Sequence, residues 1–179
     1  MAKVKVASDW LAGCAGCHMS LLDIDERIVD LLKAADLTST PITDLKHPPA
    51  EGVDVGILEG AVNNSATERV AQLMRSRCKI LIALGDCAVF GGVPALRNRV
   101  CMKEALRRAY IETESTTDGA IPSDPELATM QECRPVGDVV EVDIHVPGCP
   151  PSADAIFHVL KELVEGRKPV LNGKFLDWH

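Results

Sequence analysis

Aromatic side chains are scarce in this sequence: three Phe, two Trp and one Tyr, 3% of 179 residues. A chain of this length is expected to fold as one domain with a sizeable core. Because hydrophobic residues still make up 46%, that core has to be built mainly from Val, Leu, Ile and Ala. Long apolar runs are missing as well. None approaches the roughly 18 residues needed to cross a bilayer, so no membrane span is expected. Runs of Lys and Arg are absent and the net charge is −7, which argues against nucleic acid or an anionic membrane as partner. The basic start MAKVKVASDW is interrupted by Ser8 and Asp9 before an apolar stretch forms, so a secretory leader is not expected. Seven cysteines, an odd number, then fit a reducing cytoplasm better than a disulfide framework.

What is present is an alternation of β-branched runs and helical stretches. KVKVASDW (3–10) reads as a strand. SLLDIDERIVDLLKAA (20–35) reads as one helix, with Leu21, Ile24, Ile28, Leu31 and Leu32 on one face and Ser20 and Asp23 as a capping box. PITDL (41–45) reads as a short strand and VDVGILEG (53–60) as a longer one, followed by a helix capped by Ser65 and Glu68. CKILIALG (78–85) has the continuous apolar character of a central parallel strand. Pro94 opens a helix running through Leu96, Val100, Leu106 and Tyr110. VVEVDIHV (139–146) is the last strand, SADAIFHVLKELVEG (152–166) the last helix, and 113–138 a surface insertion. The expectation is a single domain over 1–179 of α/β class, a flavodoxin-like three-layer fold with a mostly parallel five-stranded sheet.

On that scaffold the cysteines stand out. Cys14 and Cys17 follow the first strand, Cys87 the CKILIALG strand, and Cys149 the last one. Parallel strands end on one edge, where such folds bind ligands, so these four thiols are delivered to a common place. Four thiolates meeting there need a cation or a cluster. Zinc is one option, although four-cysteine zinc sites usually use two local C-x-x-C pairs and only one is present here. Gly85, Gly91, Gly92 and Gly148 on the same loops let backbone N–H groups approach a bulky inorganic core, and Cys149-Pro150 is similar to the Cys-Pro that closes ferredoxin motifs. A 4Fe-4S cluster is the better fit. Cys14-Ala-Gly-Cys17-His18 also spells the c-type haem attachment motif, but that reading leaves Cys87 and Cys149 idle, and dithiol redox chemistry does the same.

Taken together, WLAGCAGCHMSLLDID, EGAV, GDCAVFGGVPA and VPGCPP resemble the small subunit of nickel–iron hydrogenases, most closely the soluble NAD-reducing (bidirectional) type. The resemblance implies one 4Fe-4S cluster held by Cys14, Cys17, Cys87 and Cys149, with no catalytic residue and no nickel site in this chain. It further implies a large subunit bearing the nickel–iron centre, reversible H2 oxidation there, and a diaphorase module of iron–sulfur and flavin subunits that reduces NAD. Uptake-type small subunits carry an export signal and a second cluster domain, and neither is expected here. The subunit of respiratory complex I that holds its terminal cluster, and membrane-bound energy-converting hydrogenases, form the alternative. The complex I subunit's first motif has adjacent cysteines, whereas Ala15 and Gly16 separate Cys14 from Cys17. A flavodoxin-like fold leaves FMN open as a further cofactor, and the shortage of aromatics counts against it.

Around the four ligand candidates, His18 reads as a hydrogen-bond donor or interface residue rather than a ligand. Glu59, at a strand end, reads either as a cap for backbone amides or as a charge answering the cluster. Cys78 and Cys101 read as small core residues, Cys133 as a free thiol in the insertion or an extra ligand for a bridging cluster, and His145 and His158 as structural.

Overall fold

Alternating side chains feed two separate cores, one on each face of a central sheet. In the computed structural model, which describes residues 3–176, β1 (Val4–Trp10) sends Val6 to one side and Ala7 to the other. Strand β5 (Cys78–Leu84) does the same with Ile82 and Leu84 against Leu81 and Ala83. The first core closes under α1 (Gly16–Leu22), α2 (Arg27–Ala34) and α6 (Ala153–Val164), the second under α3 (Ser65–Arg77) and α4 (Asp86–Phe90). This is the period-two pattern of a sheet buried on both faces.

With β2 (Ala35–Ser39), β3 (Val53–Glu59) and β7 (Ile144–Val146), the strands run in the order β2-β1-β3-β5-β7, every pairing parallel. Counted along the main sheet this is the flavodoxin-like 2-1-3-4-5 order, as expected. Two short strands, β4 (Val62–Asn64) and β6 (Met130–Arg134), pair antiparallel beside it.

Several expected boundaries move. The helix expected over 20–35 is two helices, because the chain turns through Asp23–Glu26 with Asp25 at φ 58°. Ser20 and Asp23 therefore form no capping box: Ser20 lies inside α1, and its hydroxyl donates to the Pro151 carbonyl at 2.6 Å. PITDL is a turn, and the strand there is β2, just upstream. The cap of α3 is Asn64 rather than Ser65. Its side chain accepts from the Ala66 and Thr67 amides at 2.9 Å, and Thr67 Oγ1 accepts back from the Asn64 amide at 3.1 Å. The Pro94 helix splits into a 3-10 helix, Val93–Arg99, and α5 (Met102–Tyr110), leaving Cys101 exposed at the α5 N-cap instead of in the core.

Of the last strand only Ile144–Val146 pairs; Val139, Val140 and Val142 pack against the second core. The 113–138 stretch is surface only at its start. Strand β6 and Val136, which is fully buried, belong to the packed body. Cys133 is buried there, its amide donating to Asn98 Oδ1 at 2.9 Å and its carbonyl accepting from Asn98 Nδ2 at 2.8 Å. Cys78 is buried as expected. His158 stacks on Phe175, with ring centroids 4.4 Å apart, and thereby ties down the C-terminal segment.

Candidate metal centre

Strands β1, β3, β5 and β7 lie side by side and all end at the same edge. Past those ends the chain turns at Cys14–Cys17 into α1, at Gly85–Cys87 into α4, and at Gly148–Pro151 towards α6. The turns are tied to each other. The Gly85 amide donates to Val146 O at 2.8 Å, the Asp86 amide donates to Gly148 O at 2.9 Å, and Asp86 Oδ1 accepts from the Gly148 amide at 2.7 Å. The Ser20 bond to Pro151 fastens α1 to the third turn. Asp86 was not singled out from sequence, and Ser20 was read only as a helix cap. The carboxylate directly before Cys87, just past a strand end, was the one available sign of the first.

The structure brings Cys14, Cys17, Cys87 and Cys149 into electrostatic reach of one another. Burial pushes the Cys17 thiol up, and negative charge on Glu59, Cys87, Cys14 and Cys149 pushes it further. Burial also raises Cys87, against an amide N–H donated by Val93, with Cys149 and Cys14 adding to the rise. Cys14 and Cys149 are exposed, so the site opens at the surface. Thiols this crowded resist ionising together, and a positively charged core would relieve them.

The backbone leaves room for such a core. A Cβ on Gly85, whose φ is +85°, would stand 2.2 Å from Cys17 Sγ, and one on Gly92 (φ +49°) would stand 3.0 Å from Cys87 Sγ. Among the described residues, no three His, Cys, Asp or Glu side chains close on a point at single-ion distances. Gly85→Ala should therefore cost more than the roughly 1–2 kcal/mol of an ordinary left-handed alanine, since it also displaces the Cys17 sulfur. The expected result is lower iron retention together with a lower midpoint in chemical unfolding.

Behind Cys17 lies a buried polar chain. Glu59, at the end of β3 and 2% exposed, accepts from the His18 amide at 2.7 Å and meets His18 Nδ1 at 2.5 Å, both through Oε2. His18 Nε2 meets Ser8 Oγ at 3.1 Å. Both ring nitrogens of His18 are thus engaged within the protein, and the ring is buried. That removes it as a haem axial ligand and leaves the hydrogen-bonding role. Ser8, a buried hydroxyl on β1, was not anticipated, because nothing in the sequence pairs it with a histidine ten residues on. Cys78, Cys101 and Cys133 are not brought to this edge. Arg97 is the charge that Cys133 senses most, and no other cysteine acts on it.

A family model described as NADH ubiquinone oxidoreductase, 20 Kd subunit, matches residues 14–163. The chain is 41% identical over 169 residues to the NAD-reducing hydrogenase HoxS subunit delta of Cupriavidus necator, covering 92% of this chain and 80% of that one. It is 36% identical over 169 residues to a subunit of the F420-non-reducing hydrogenase of Methanothermobacter marburgensis, covering 93% of this chain but only 55% of that one. Among solved structures, a chain of an NAD+-reducing [NiFe]-hydrogenase in the H2-reduced state superposes with a TM-score of 0.94 at 35% identity, covering 99% of this chain and 100% of that one. A [NiFeSe]-hydrogenase chain from Dm. baculatum shares the fold at a TM-score of 0.57 and 20% identity, covering 98% and 69%.

Proposed function

Because this chain belongs to the NADH ubiquinone oxidoreductase 20 kDa subunit family, we propose that it is the electron-transfer small subunit of a nickel–iron hydrogenase. Its proximal 4Fe-4S cluster would be held by Cys14, Cys17, Cys87 and Cys149. The observation that carries this reading is the meeting of those four thiols, from three separate turns, at one edge of the parallel sheet. The alternative complex I-like reading loses ground to the hydrogenase relatives and to the Ala15-Gly16 separation of the first two cysteines.

The cluster, when bound, supplies a one-electron acceptor. The chain's own residues prepare its seat. Gly85 and Gly92 keep the space clear of side chains, and the Val93 amide donates towards Cys87 sulfur. Asp86 and Ser20 hold the three turns in register. Glu59 fixes the Cys14–Cys17 turn by gripping the His18 amide, and it places a carboxylate close enough to be felt at Cys17.

At the same edge Trp10, Met19, Phe90 and Val93 are exposed, an apolar rim suited to being covered by a partner. In this reading the partner there is the large subunit with the nickel–iron centre, and electrons leave to a diaphorase module that reduces NAD. No helix among the described residues is long and apolar enough to cross a membrane, and the reading places the complex in the cytoplasm.

The test is hydrogen-dependent dye reduction. This chain alone should give none, because in this reading the nickel–iron centre belongs to the large subunit; co-expressed with that subunit it should sustain the reaction. Hydrogen-dependent dye reduction by the purified single chain would overturn the assignment.

A further inference from the structure

Three of the four candidate ligands have a helix or a neighbouring ligand to hold them. Cys14 and Cys17 share the turn into α1, and Cys87 lies in α4 with the Val93 amide donating towards its sulfur. Cys149 is placed differently. It is exposed, and a hollow of about 360 Å³, bordered by Ser20, Asp23, Pro150 and Phe175, leaves its turn unpacked on that side. The turn also has few groups with which to hold on. Of Pro147, Gly148, Cys149, Pro150 and Pro151, three are prolines with no N–H to donate.

Among the described residues, three hydrogen bonds tie this stretch to the rest of the chain. Ser20 Oγ donates to the Pro151 carbonyl at 2.6 Å. Asp86 makes both of the others. Its amide donates to Gly148 O at 2.9 Å, and its Oδ1 accepts from the Gly148 amide at 2.7 Å. Asp86 is 62 residues away in sequence from the glycine it grips, and it directly precedes Cys87. One carboxylate thus joins the backbone beside one ligand to the backbone beside another.

We propose that Asp86 is the positioning residue that makes Cys149 a lasting ligand: its carboxylate, through the Gly148 amide, keeps that turn closed on the site. The proposal rests on the cluster reading above and goes beyond it, since it makes iron retention at Cys149 depend on a side chain that touches no iron. Hydrogen bonds to a charged acceptor are among the stronger ones, and losing one favours the open turn by about tenfold or more. An open turn carries the Cys149 sulfur away with it. In the iron loss that follows, the iron–sulfur bond at Cys149 breaks and a ferrous ion leaves. The freed thiolate takes a proton from water, and the three-iron remainder gives one electron to an added oxidant.

The experiment uses the assembled holoenzyme, purified anaerobically and exposed to a fixed excess of ferricyanide as that oxidant. Iron release, the paramagnetic signal of the three-iron form and iodoacetamide labelling of freed cysteines are followed together. Asp86→Ala removes the acceptor and should release iron about tenfold or more faster than wild type. Release should stop at about three irons per chain, with Cys149 the labelled thiol. Asp86→Asn keeps an Oδ1 acceptor for the Gly148 amide without the charge, and its rate should stay within about threefold of wild type. Asp86→Glu keeps the charge but moves the carboxylate out by a methylene, so it should lose iron faster than Asp86→Asn. It carries the test if the alanine variant does not assemble. Wild-type iron release in Asp86→Ala or Asp86→Glu, whatever their unfolding midpoints, would overturn the proposal and leave Asp86 a purely structural residue. Release as fast in Asp86→Asn as in Asp86→Ala would overturn it too, because charge and not the hydrogen bond would then be at work. So would labelling of Cys14, the other exposed ligand, in place of Cys149. A wild-type protein without about four irons per chain would instead refute the cluster reading, so the two failures are separable.

Discussion

Cys149→Ala is expected to strip the protein of an intact cluster, while Cys133→Ala leaves it whole. Cys149 stands alone on its turn, tied down through Gly148 and Asp86, with no neighbouring cysteine that could substitute. Removing its sulfur should drop iron from about four per chain to a three-iron form or none, and stop electron flow. Cys14→Ala, Cys17→Ala and Cys87→Ala should behave alike. Cys78, Cys101 and Cys133 sit at a strand start, a helix cap and the buried position of β6, away from the edge. Their alanine variants should keep iron content and hydrogen-driven activity near wild type, with stability losses where the thiol is buried. Iron analysis of the seven single variants separates the two classes. A full cluster in Cys149→Ala alongside a lost one in Cys133→Ala would require the ligand set to be redrawn around β6.

The second large effect concerns Glu59, and two substitutions divide its roles. Glu59→Gln keeps the shape and an acceptor for the His18 amide but removes the charge. Next to burial, the Glu59 charge is the largest influence holding the Cys17 thiol up, and what opposes a thiolate there also opposes an added electron. A unit charge on the order of 10 Å away, at an effective dielectric of about 20, is worth about 1.7 kcal/mol. The potential of the site should therefore rise by tens of millivolts in a redox titration of Glu59→Gln. Glu59→Leu removes the acceptor for both the His18 amide and its ring, leaving buried donors unpaired. It should cost about 3–5 kcal/mol in chemical unfolding. A Gln variant with an unchanged potential would reduce Glu59 to the structural half of this account.

The convergence of the cysteines was legible because it depends only on topology. Once the strands are parallel and in the 2-1-3-4-5 order, their ends share an edge, and the apolar runs 53–60 and 78–85 announce themselves as central strands. The elements that were misplaced are those decided by tertiary contact. Ile24 keeps the helical spacing expected over 20–35 and is fully buried, so the periodicity survives the turn at Asp25 and hides it. Strand β2 begins at Ala35 and Asp36, which continue the pattern of α2. Pairing with β1 in parallel register, a non-local contact, overrides that local signal. VVEVDIHV alternates like a strand, yet its first valines fill a hydrophobic gap on the second face. The Ser8–His18–Glu59 chain depends on the pairing of Trp10 with Glu59 across β1 and β3, a register that no local pattern displays. Cys101 was read as buried because it falls within an apolar helical spacing, and the helix that carries it turned out to have its apolar face open.

The central claim is that this edge of the sheet holds a four-iron cluster on Cys14, Cys17, Cys87 and Cys149. The most direct measurement is iron and sulfide analysis with electron paramagnetic resonance on anaerobically purified protein, before and after dithionite. About four irons per chain are expected and, on reduction, a fast-relaxing paramagnetic signal. Stoichiometric zinc with no paramagnetic signal, or the sharp Soret and α bands of a haem in the optical spectrum, would contradict it.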